Sequence, residues 1–572
     1  MFEGLSMELK NPPPLSLGTL RVIPLGGLGE VGRNCTVLEM IDPIPQGYSR
    51  LMLLDCGVLF PGDDEPGVDL LLPDFTYLHD KLDRIEAIYI THGHEDHIGA
   101  IPFLLKLRPD IPLVGSRFSL ALIKKKLEQH RITPVTFEVN PGDELRFGPF
   151  LLNFLPVNHS IPDALAVFVR TSAGNVLDTG DFKMDQTPLD GKLTDLKRFT
   201  DASRVGVDLF MVDSTNAMNP GFVPSEAVVE AELNKIFAGI TTGIVFATTF
   251  ASHIHRVAEL CHAAMKNNRK IALLGRSMLN NVAIAQELKM LDVPEGAFVD
   301  LKDVPSLPPE RVCIICTGSQ GESMAALSRM ARREHPTVNI NPEDTVVMAS
   351  STIPGNEKVI TAMLNNIEEI GAKVFDARRF KVHCSGHANE GELMYIYNVV
   401  EPRNVLPIHG EVRHLKANAR IANRSGVNEN NIPVVQSGGV IDLANGHAKV
   451  VGRIENGYLF VDGREVGSVT QRDLEQRLIL SQEGFVAVST GVDVKNRKVV
   501  SYPKVIARAI AEDDSVFGPL AHKVHKALTT AMNDEGMTNT DALAKVVKRV
   551  AAGFISRELH RRPMILPIVH KK

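Results

Sequence analysis

The sequence predicts an α/β fold, and three observations lead there. Short aliphatic or β-branched runs recur along the chain, among them "RLMLLDCG", "AIYITHGH", "LFMVDST", "GIVFATTF", "IALLGRS", "VCIICTGSQGE" and "TVVMASS", each closing on small or polar residues. Helix-like stretches follow several of them, such as "SEAVVEAELNKIFAG" and "SMAALSRMARRE". Strand–helix alternation of this kind builds layers in which functional groups collect at the C-terminal ends of strands. The third observation is an exception: "FGPFLLNFLPVNHSIPDALAVFVRTSAGNVLDTGDF" reads as consecutive strands joined by turns, so an antiparallel part accompanies the α/β part.

With 572 residues, 44% of them hydrophobic, the chain can bury several cores, and two to four domains are expected. No apolar run reaches the roughly 18 residues of a membrane span. The start, "MFEGLSMELKNPPPL", lacks the basic, apolar and small-residue succession of a secretion signal, and a cytoplasmic protein is expected. Six cysteines (Cys35, Cys56, Cys261, Cys313, Cys316 and Cys384) are scattered through a long chain and read as reduced thiols. A net charge of −6 gives no whole-chain sign of a polyanion partner, so any nucleic-acid surface must be local. One such concentration lies near the C-terminus, where Lys545, Lys548, Arg549, Arg557, Arg561, Arg562, Lys571 and Lys572 are offset only by Glu558, although solvated helix faces explain such a run equally well.

Two motifs resemble familiar sites and fail on context. "GLGEVG" spaces Gly27, Gly29 and Gly32 like a dinucleotide-binding turn, but "NCTVLEM" after it reads as a strand, not as the helix that would hold a pyrophosphate. Cys313 and Cys316 of "CIIC" have zinc or redox spacing without a second pair, and on a strand positions i and i+3 face opposite sides. Both are expected as buried strand cysteines.

"THGHEDHIGA" is different. After the strand-like "IEAIYIT" it offers His92, His94, Asp96 and His97 on a tight loop ahead of the helix-like "IGAIPFLLKL". Imidazoles and carboxylates ligate zinc- or manganese-type cations, and four candidates on one segment exceed the needs of a single open site, which points to two ions. Further candidates stand at other strand ends: His159 in "LPVNHSIPD", Asp181 in "NVLDTGDFK", where a carboxylate could bridge two ions, and His409 in "NVLPIHGEVRH".

At this point the chain resembles a known family. "THGHEDH", His159 and Asp181 are similar to the metal motifs of the metallo-β-lactamase fold, and Asp55 in "LLDCG" matches its early strand-end aspartate. Asp213 in "MVDSTNA", His387 in "HCSGHA" and His409 in "PIHGEVRH" resemble the motifs of the β-CASP nucleases. With "TGSQGE", "STIPGNE" and the ending "RRPMILPI", the likeness is to the bacterial ribonuclease J family from about Val22 onward.

The resemblance implies an αββα metallo-β-lactamase sandwich made of residues 1–218 and 372–447. It further implies a β-CASP domain inserted at 219–371, a linker at 448–464 and a small α/β C-terminal domain at 465–572. It implies a two-cation centre of zinc, manganese or magnesium for hydrolysis of RNA phosphodiesters. His92, His94 and His159 would hold one ion, Asp96, His97 and His409 the other, and Asp181 both; Asp55 would support the ligands from behind. His387, oriented by Asp213, would donate a proton to the phosphate or the departing 3′ oxygen. The implied activity is endonucleolytic and also 5′→3′ exonucleolytic from 5′-monophosphate ends. A 5′-phosphate pocket would draw on Ser252, His253, His255, Arg276, Ser277, His383 and Ser385. The implied partners are single-stranded RNA, a second copy of the chain bound through the C-terminal domain, and an RNA-degradation complex. The metal loop alone would equally suit a small-ester or thioester hydrolase, against which the long insertion and the His387 and His409 motifs argue. A non-catalytic RNA-binding scaffold predicts lost ligands, and none is missing.

Overall fold

The computed structural model describes residues 11–42, 48–322, 324–353, 356–511 and 513–572. The first ten residues of the leader reading, Ser323 of "SMAALSRMARRE" and Pro354 and Gly355 of "STIPGNE" lie outside the described residues. The chain divides into two compact units, residues 1–59 with 71–459 and residues 60–70 with 460–572.

Two sheets face each other in the larger unit. The first runs His447–Arg453, Gly439–Ala444, Leu20–Gly26, Cys35–Ile41, Ser49–Leu54, Ile85–Ile90, Leu113–Gly115 and Thr136–Glu138. Its early strands pair antiparallel, and from Ser49–Leu54 onward the pairing is parallel. The second runs Asn404–Ile408, Leu209–Asp213, Gly174–Asp178, Leu165–Thr171, Phe150–Pro156 and Glu144–Phe147, parallel at the first two pairings and antiparallel thereafter. The region read as consecutive strands is the antiparallel half of this sheet.

Alternation decides which side chains enter the space between the sheets. Leu38, Met40, Met52, Leu54 and Tyr89 from one sheet meet Leu152, Phe154, Val167, Val169 and Met211 from the other. Tyr89 stacks on Phe154 at 5.5 Å, and its hydroxyl donates to Leu165 O at 2.7 Å, which satisfies the one polar group it brings inside. On the far face of the second sheet, Phe168, Phe210 and Val405 pack against helices Leu196–Val205, Glu390–Val400 and Val412–Arg424 through Phe199, Tyr397 and Ile421. Asn404–Ile408 therefore enters the second sheet from far along the chain.

Between Asp213 and that return lies a doubly wound layer. Lys270–Leu274, Val312–Cys316, Val245–Thr248, Thr345–Met348 and Lys373–Asp376 form an all-parallel sheet. Its strands are near-continuous apolar runs because both faces are covered. Helices Glu226–Ala238, Ile254–Lys266 and Arg276–Glu287 supply one covering cluster, and Ala326–Ala331 with Glu357–Ile370 the other. Cys313 and Cys316 are fully buried in Val312–Cys316.

The stretch 448–464, which reads in sequence as short strands with Gly turns linking to a C-terminal unit, is mostly strand. His447–Arg453 pairs antiparallel with Gly439–Ala444. The connecting Asn445 and Gly446 both have positive φ, +52° and +76°, the backbone that closes a tight two-residue hairpin. Tyr458–Asp462 is a further strand.

In the smaller unit Phe485–Asp493 and Lys498–Arg508 form a hairpin, and Met564–Lys571 pairs parallel to the first of them. Helices Gly518–Asn533 and Thr540–Glu558 cover one face through Leu520, Val524, Leu528, Val547 and Phe554.

Candidate metal centre

The loop "THGHEDH" leaves strand Ile85–Ile90 at Thr91, whose N–H and hydroxyl both donate to Asp55, each at 2.8 Å. Asp55 occupies the left-handed region at φ +60°, which places its carboxylate under the loop. His92 and His94 sit in the loop, but Asp96 and His97 lie in a helical turn, Glu95–Ile98, with His94 at its N-terminal boundary. The expected tight loop is thus half helix, because Glu95 and Asp96 suit a first helical turn.

The rings are held from behind by oxygen atoms. With Thr91 donating to Asp55, His92 Nδ1 donates to Thr91 Oγ1 at 3.0 Å. His97 Nδ1 meets Asp55 Oδ2 at 2.7 Å, and His159 Nδ1 donates to Gly386 O at 2.7 Å. Thr215 donates to Asp213 at 2.8 Å, and His409 Nδ1 donates to Thr215 Oγ1 at 2.6 Å. In all four rings this turns Nε2 inward, and in the neutral ring that nitrogen carries the lone pair that a ligand needs.

Those nitrogens converge. His94 Nδ1 lies 3.0 Å from His92 Nε2 and 3.1 Å from His159 Nε2, distances at which unshared lone pairs repel. His92, His94, His159 and Asp181 form one group whose candidate donor atoms all lie within 4.8 Å of one another; Asp96, His97, Asp181 and His409 form a second; Asp181, Asp213, His387 and His409 form a third. Asp181 belongs to all three. Its Oδ1 is buried and accepts no hydrogen bond, which is costly for a carboxylate unless a cation meets it. A donor set of imidazoles and carboxylates, with an orphaned anionic oxygen where the groups meet, fits two divalent cations.

Charges follow the same division. Burial pushes His92 and His159 well below the ordinary range and His94 to about 4. Burial also pulls on His97 and His409, but the carboxylates of Asp181 and Asp55 around His97, and of Asp181, Asp213 and Asp96 around His409, outweigh it. His97 is held well above its usual value and His409 at about 10. Without ions, therefore, protons occupy the second group.

His387 stands beside this centre, its Nδ1 2.7 Å from Asp213 Oδ2 and 4.0 Å from Asp181. Its ring stacks on His409 at 5.5 Å. Burial lowers its pKa, and Asp213 with Asp181 raise it further than burial lowers it.

The expected phosphate-pocket residues divide. His253 caps helix Ile254–Lys266, with Nδ1 accepting from Arg256 N at 3.2 Å, and its ring lies 6.5 Å from that of His383. His253 Nε2 and His383 Nδ1 are buried without a hydrogen-bond partner. Beneath them Glu226 pairs with Arg256 and with Lys183 at 3.1 Å. Ser385 Oγ accepts from His387 N at 3.2 Å, which links it to the centre. Ser252 precedes His253, and His255 lies 3.8 Å from Asp190. A cavity of about 310 Å³ reaches from Asn158 and His159 to Lys183 and His255. Arg276 and Ser277 open helix Arg276–Glu287 on the exposed surface, and among the described residues neither hydrogen-bonds to the others.

Some contributors escaped the sequence reading. Asn34 Nδ2 lies 3.0 Å from His97 Nε2 and 3.2 Å from Asp96 O, and Asn34 N donates to Asp96 O at 2.9 Å. It belongs to the "GLGEVGRN" turn, whose glycine spacing suggests a nucleotide motif and hides this role. Thr91 and Thr215 adjoin named ligands, but their role is to fix tautomers, which no spacing announces.

Comparison with known proteins accords with this geometry. Residues 52–231 match the beta-lactamase superfamily domain, 242–367 the Ribonuclease J beta-CASP domain, 375–433 the Zn-dependent metallo-hydrolase RNA specificity domain, and 473–572 the Ribonuclease J C-terminal domain. The chain is 45% identical to Ribonuclease J of Mycolicibacterium smegmatis over 99% of this chain and 100% of that protein. It is 38% identical to Ribonuclease J of Thermus thermophilus over 96% and 95%, and 33% identical to Ribonuclease J2 of Bacillus subtilis over 96% and 98%. A crystal structure of a protein of unknown function from Enterococcus faecalis V583 shares the fold with a TM-score of 0.53 at 15% identity, covering 74% of this chain and all of that one. The chain combines a metallo-β-lactamase domain, an inserted β-CASP domain and a ribonuclease J C-terminal domain, and it belongs to the ribonuclease J family of metal-dependent ribonucleases.

Proposed function

We propose that this ribonuclease uses two cations sharing Asp181, and that it acts both internally and 5′→3′ from monophosphorylated ends. The observation that carries the reading is the buried Asp181 Oδ1, which accepts no hydrogen bond although it lies between two sets of inward-facing imidazoles, with His409 Nε2 at 3.8 Å. His92, His94 and His159 would hold one ion and Asp96, His97 and His409 the other. Bound there, the cations supply Lewis acidity toward the phosphate and make water a better nucleophile. Zinc suits a set dominated by imidazole nitrogens, manganese accepts the same donors, and magnesium, which prefers oxygen, suits it least.

The chain's own groups do the rest. Asp55, Thr91, Thr215 and Gly386 O keep the ring tautomers fixed, so little reorganisation is needed during reaction. His387, anchored through Nδ1 to Asp213, keeps its other nitrogen as a donor and would give a proton to the departing 3′ oxygen. His253 Nε2, 3.6 Å from Glu226, and His383 Nδ1 make no hydrogen bond, and with Ser385 between them and His387 they are suited to a terminal phosphate. His255 lines the neighbouring cavity and Ser252 precedes His253, while Arg276 and Ser277 are exposed at the start of helix Arg276–Glu287. The cavity between His159 and His255 has room for a nucleotide on the upstream side.

A second copy is proposed to dock on the helix-free face of the C-terminal sheet. Leu566 and Ile506 flank Ala487 there, with Ile568 beside Ser489, and they are 48%, 39% and 40% exposed. Six free, buried thiols accord with a reducing cytoplasm.

The test is a time course on one internally labelled RNA carrying either a 5′-monophosphate or a 5′-triphosphate, with and without chelator. Chelator-sensitive release of mononucleotides, faster from the monophosphate, is expected. Internal fragments regardless of the 5′ end would remove the phosphate pocket from the account.

A further inference from the structure

The basic residues near the C-terminus are not used by the centre described above. Residues 485–572 carry fifteen Lys and Arg against eight Asp and Glu, a surplus of seven in a chain whose net charge is −6. Folding sharpens the contrast. Helices Gly518–Asn533 and Thr540–Glu558 pack on the sheet through one stripe each, and the stripes facing away carry the cations. Lys526 on the first helix and Lys545 and Arg549 on the second lie opposite the buried residues, with Lys523, Lys548 and Arg557 on the flanks, all exposed. The first helix has no acidic residue, and the second has only Asp541 at its start and Glu558 at its end. Among the described residues none of the six cations has an ion-pair partner; Lys523 rests over the Phe554 ring at 4.8 Å. A solvated helix face of ordinary composition intersperses both signs and forms i,i+4 pairs, and this layer does neither.

We propose that the outer face of this two-helix layer is a sequence-independent docking surface for the phosphate backbone of the RNA being degraded. The proposal rests on the reading of the chain as a ribonuclease. Six cations on two adjacent helices can neutralise several phosphates, which makes the grip strongly salt-dependent and indifferent to base identity. The face carries no exposed Phe, Tyr or Trp and only the His522 ring as a platform for unstacked bases, so it holds the backbone and does not read sequence. It is also the opposite face of the unit from Ile506, Leu566 and Ile568, so a second copy and an RNA strand need not compete.

The test compares the full chain with the quadruple variant K526Q/K545Q/K548Q/R549Q. Binding of a 30-nucleotide RNA is measured across a salt series in the slow H387A background, and turnover of a five-nucleotide RNA with His387 intact. Each cation engaged contributes about 0.7 to the slope of log K against log salt on a single strand, so the slope should become shallower by about 3. Turnover of the five-nucleotide RNA should be unchanged, as should the melting temperature and the mass by light scattering. An unchanged slope would overturn the proposal and return the run to a solvated surface. A variant that changes its oligomeric mass would overturn it in favour of an interface between copies. If the parent chain neither binds nor cleaves RNA, the ribonuclease reading fails first, and that outcome is distinct because it precedes the comparison.

Discussion

Asp55→Asn isolates what a carboxylate does two bonds away from a ligand. Asp55 takes three hydrogen bonds, from Thr91 N and Thr91 Oγ1 at 2.8 Å each and from His97 Nδ1 at 2.7 Å. Asparagine has nearly the same shape and tolerates the left-handed backbone at φ +60°, so the backbone is not strained by the change. Its amide, however, presents one acceptor oxygen where the carboxylate presented two. With that oxygen kept by Thr91, the NH2 faces His97 Nδ1, which must then accept, and the ring proton moves to Nε2. Nε2 is the nitrogen that faces Asp181 at 3.3 Å, and a protonated nitrogen cannot ligate. Losing such a partner typically weakens a metal by 10- to 100-fold, or about 1.4–2.7 kcal/mol. Zinc titration by calorimetry should show the second binding step weakened by that factor and the first unchanged. Equal affinities for both steps in the variant and the parent would refute the tautomer argument.

Other outcomes follow from the same geometry. Asp181→Asn should abolish RNA cleavage and lower bound metal below two ions per chain while the circular dichroism spectrum is retained; full metal content would remove Asp181 from the shared position. His387→Ala should lower kcat by about 10²–10⁴ with both ions kept, and proportional metal loss would make it a ligand. Burial and neighbouring charge hold the pKa of His253 at about 4 and of His383 at about 3, below the unfolded value near 6.5. Depressed histidine pKa values mean stability is complete above pH 6.5 and falls as pH drops toward 4, by about 1.4 kcal/mol per pH unit for each ring. Urea midpoints of H253Q/H383Q should therefore fall less between pH 7 and 5 than those of the parent, and parallel curves would contradict the assignment.

Much of this fold is legible in the sequence because its strands are buried on both faces or alternate cleanly. "TVVMASS" and "VCIICTGSQGE" announce a covered parallel sheet, and the run from Phe147 to Phe182 an antiparallel one. The clustering of the candidate ligands is legible because metal sites draw on few residue types placed at strand ends. Tertiary packing decided what was hidden. Nothing in "HAKVVGR" says which sheet it joins: it pairs with its neighbour Gly439–Ala444, and only that strand's pairing with Leu20–Gly26, more than four hundred residues away, sets the hairpin on the first sheet. Asn34 was hidden for the same reason: its nearness to Asp96 depends on the antiparallel pairing that sets the start of Cys35–Ile41 beside the end of Ser49–Leu54.

The most direct test is a crystal structure of the zinc-loaded protein with anomalous scattering collected at the zinc edge. The account predicts two peaks about 3.5–4 Å apart, one beside His92, His94 and His159, the other beside Asp96, His97 and His409, with Asp181 contacting both. A single peak, or two peaks that leave Asp181 unliganded, would contradict it.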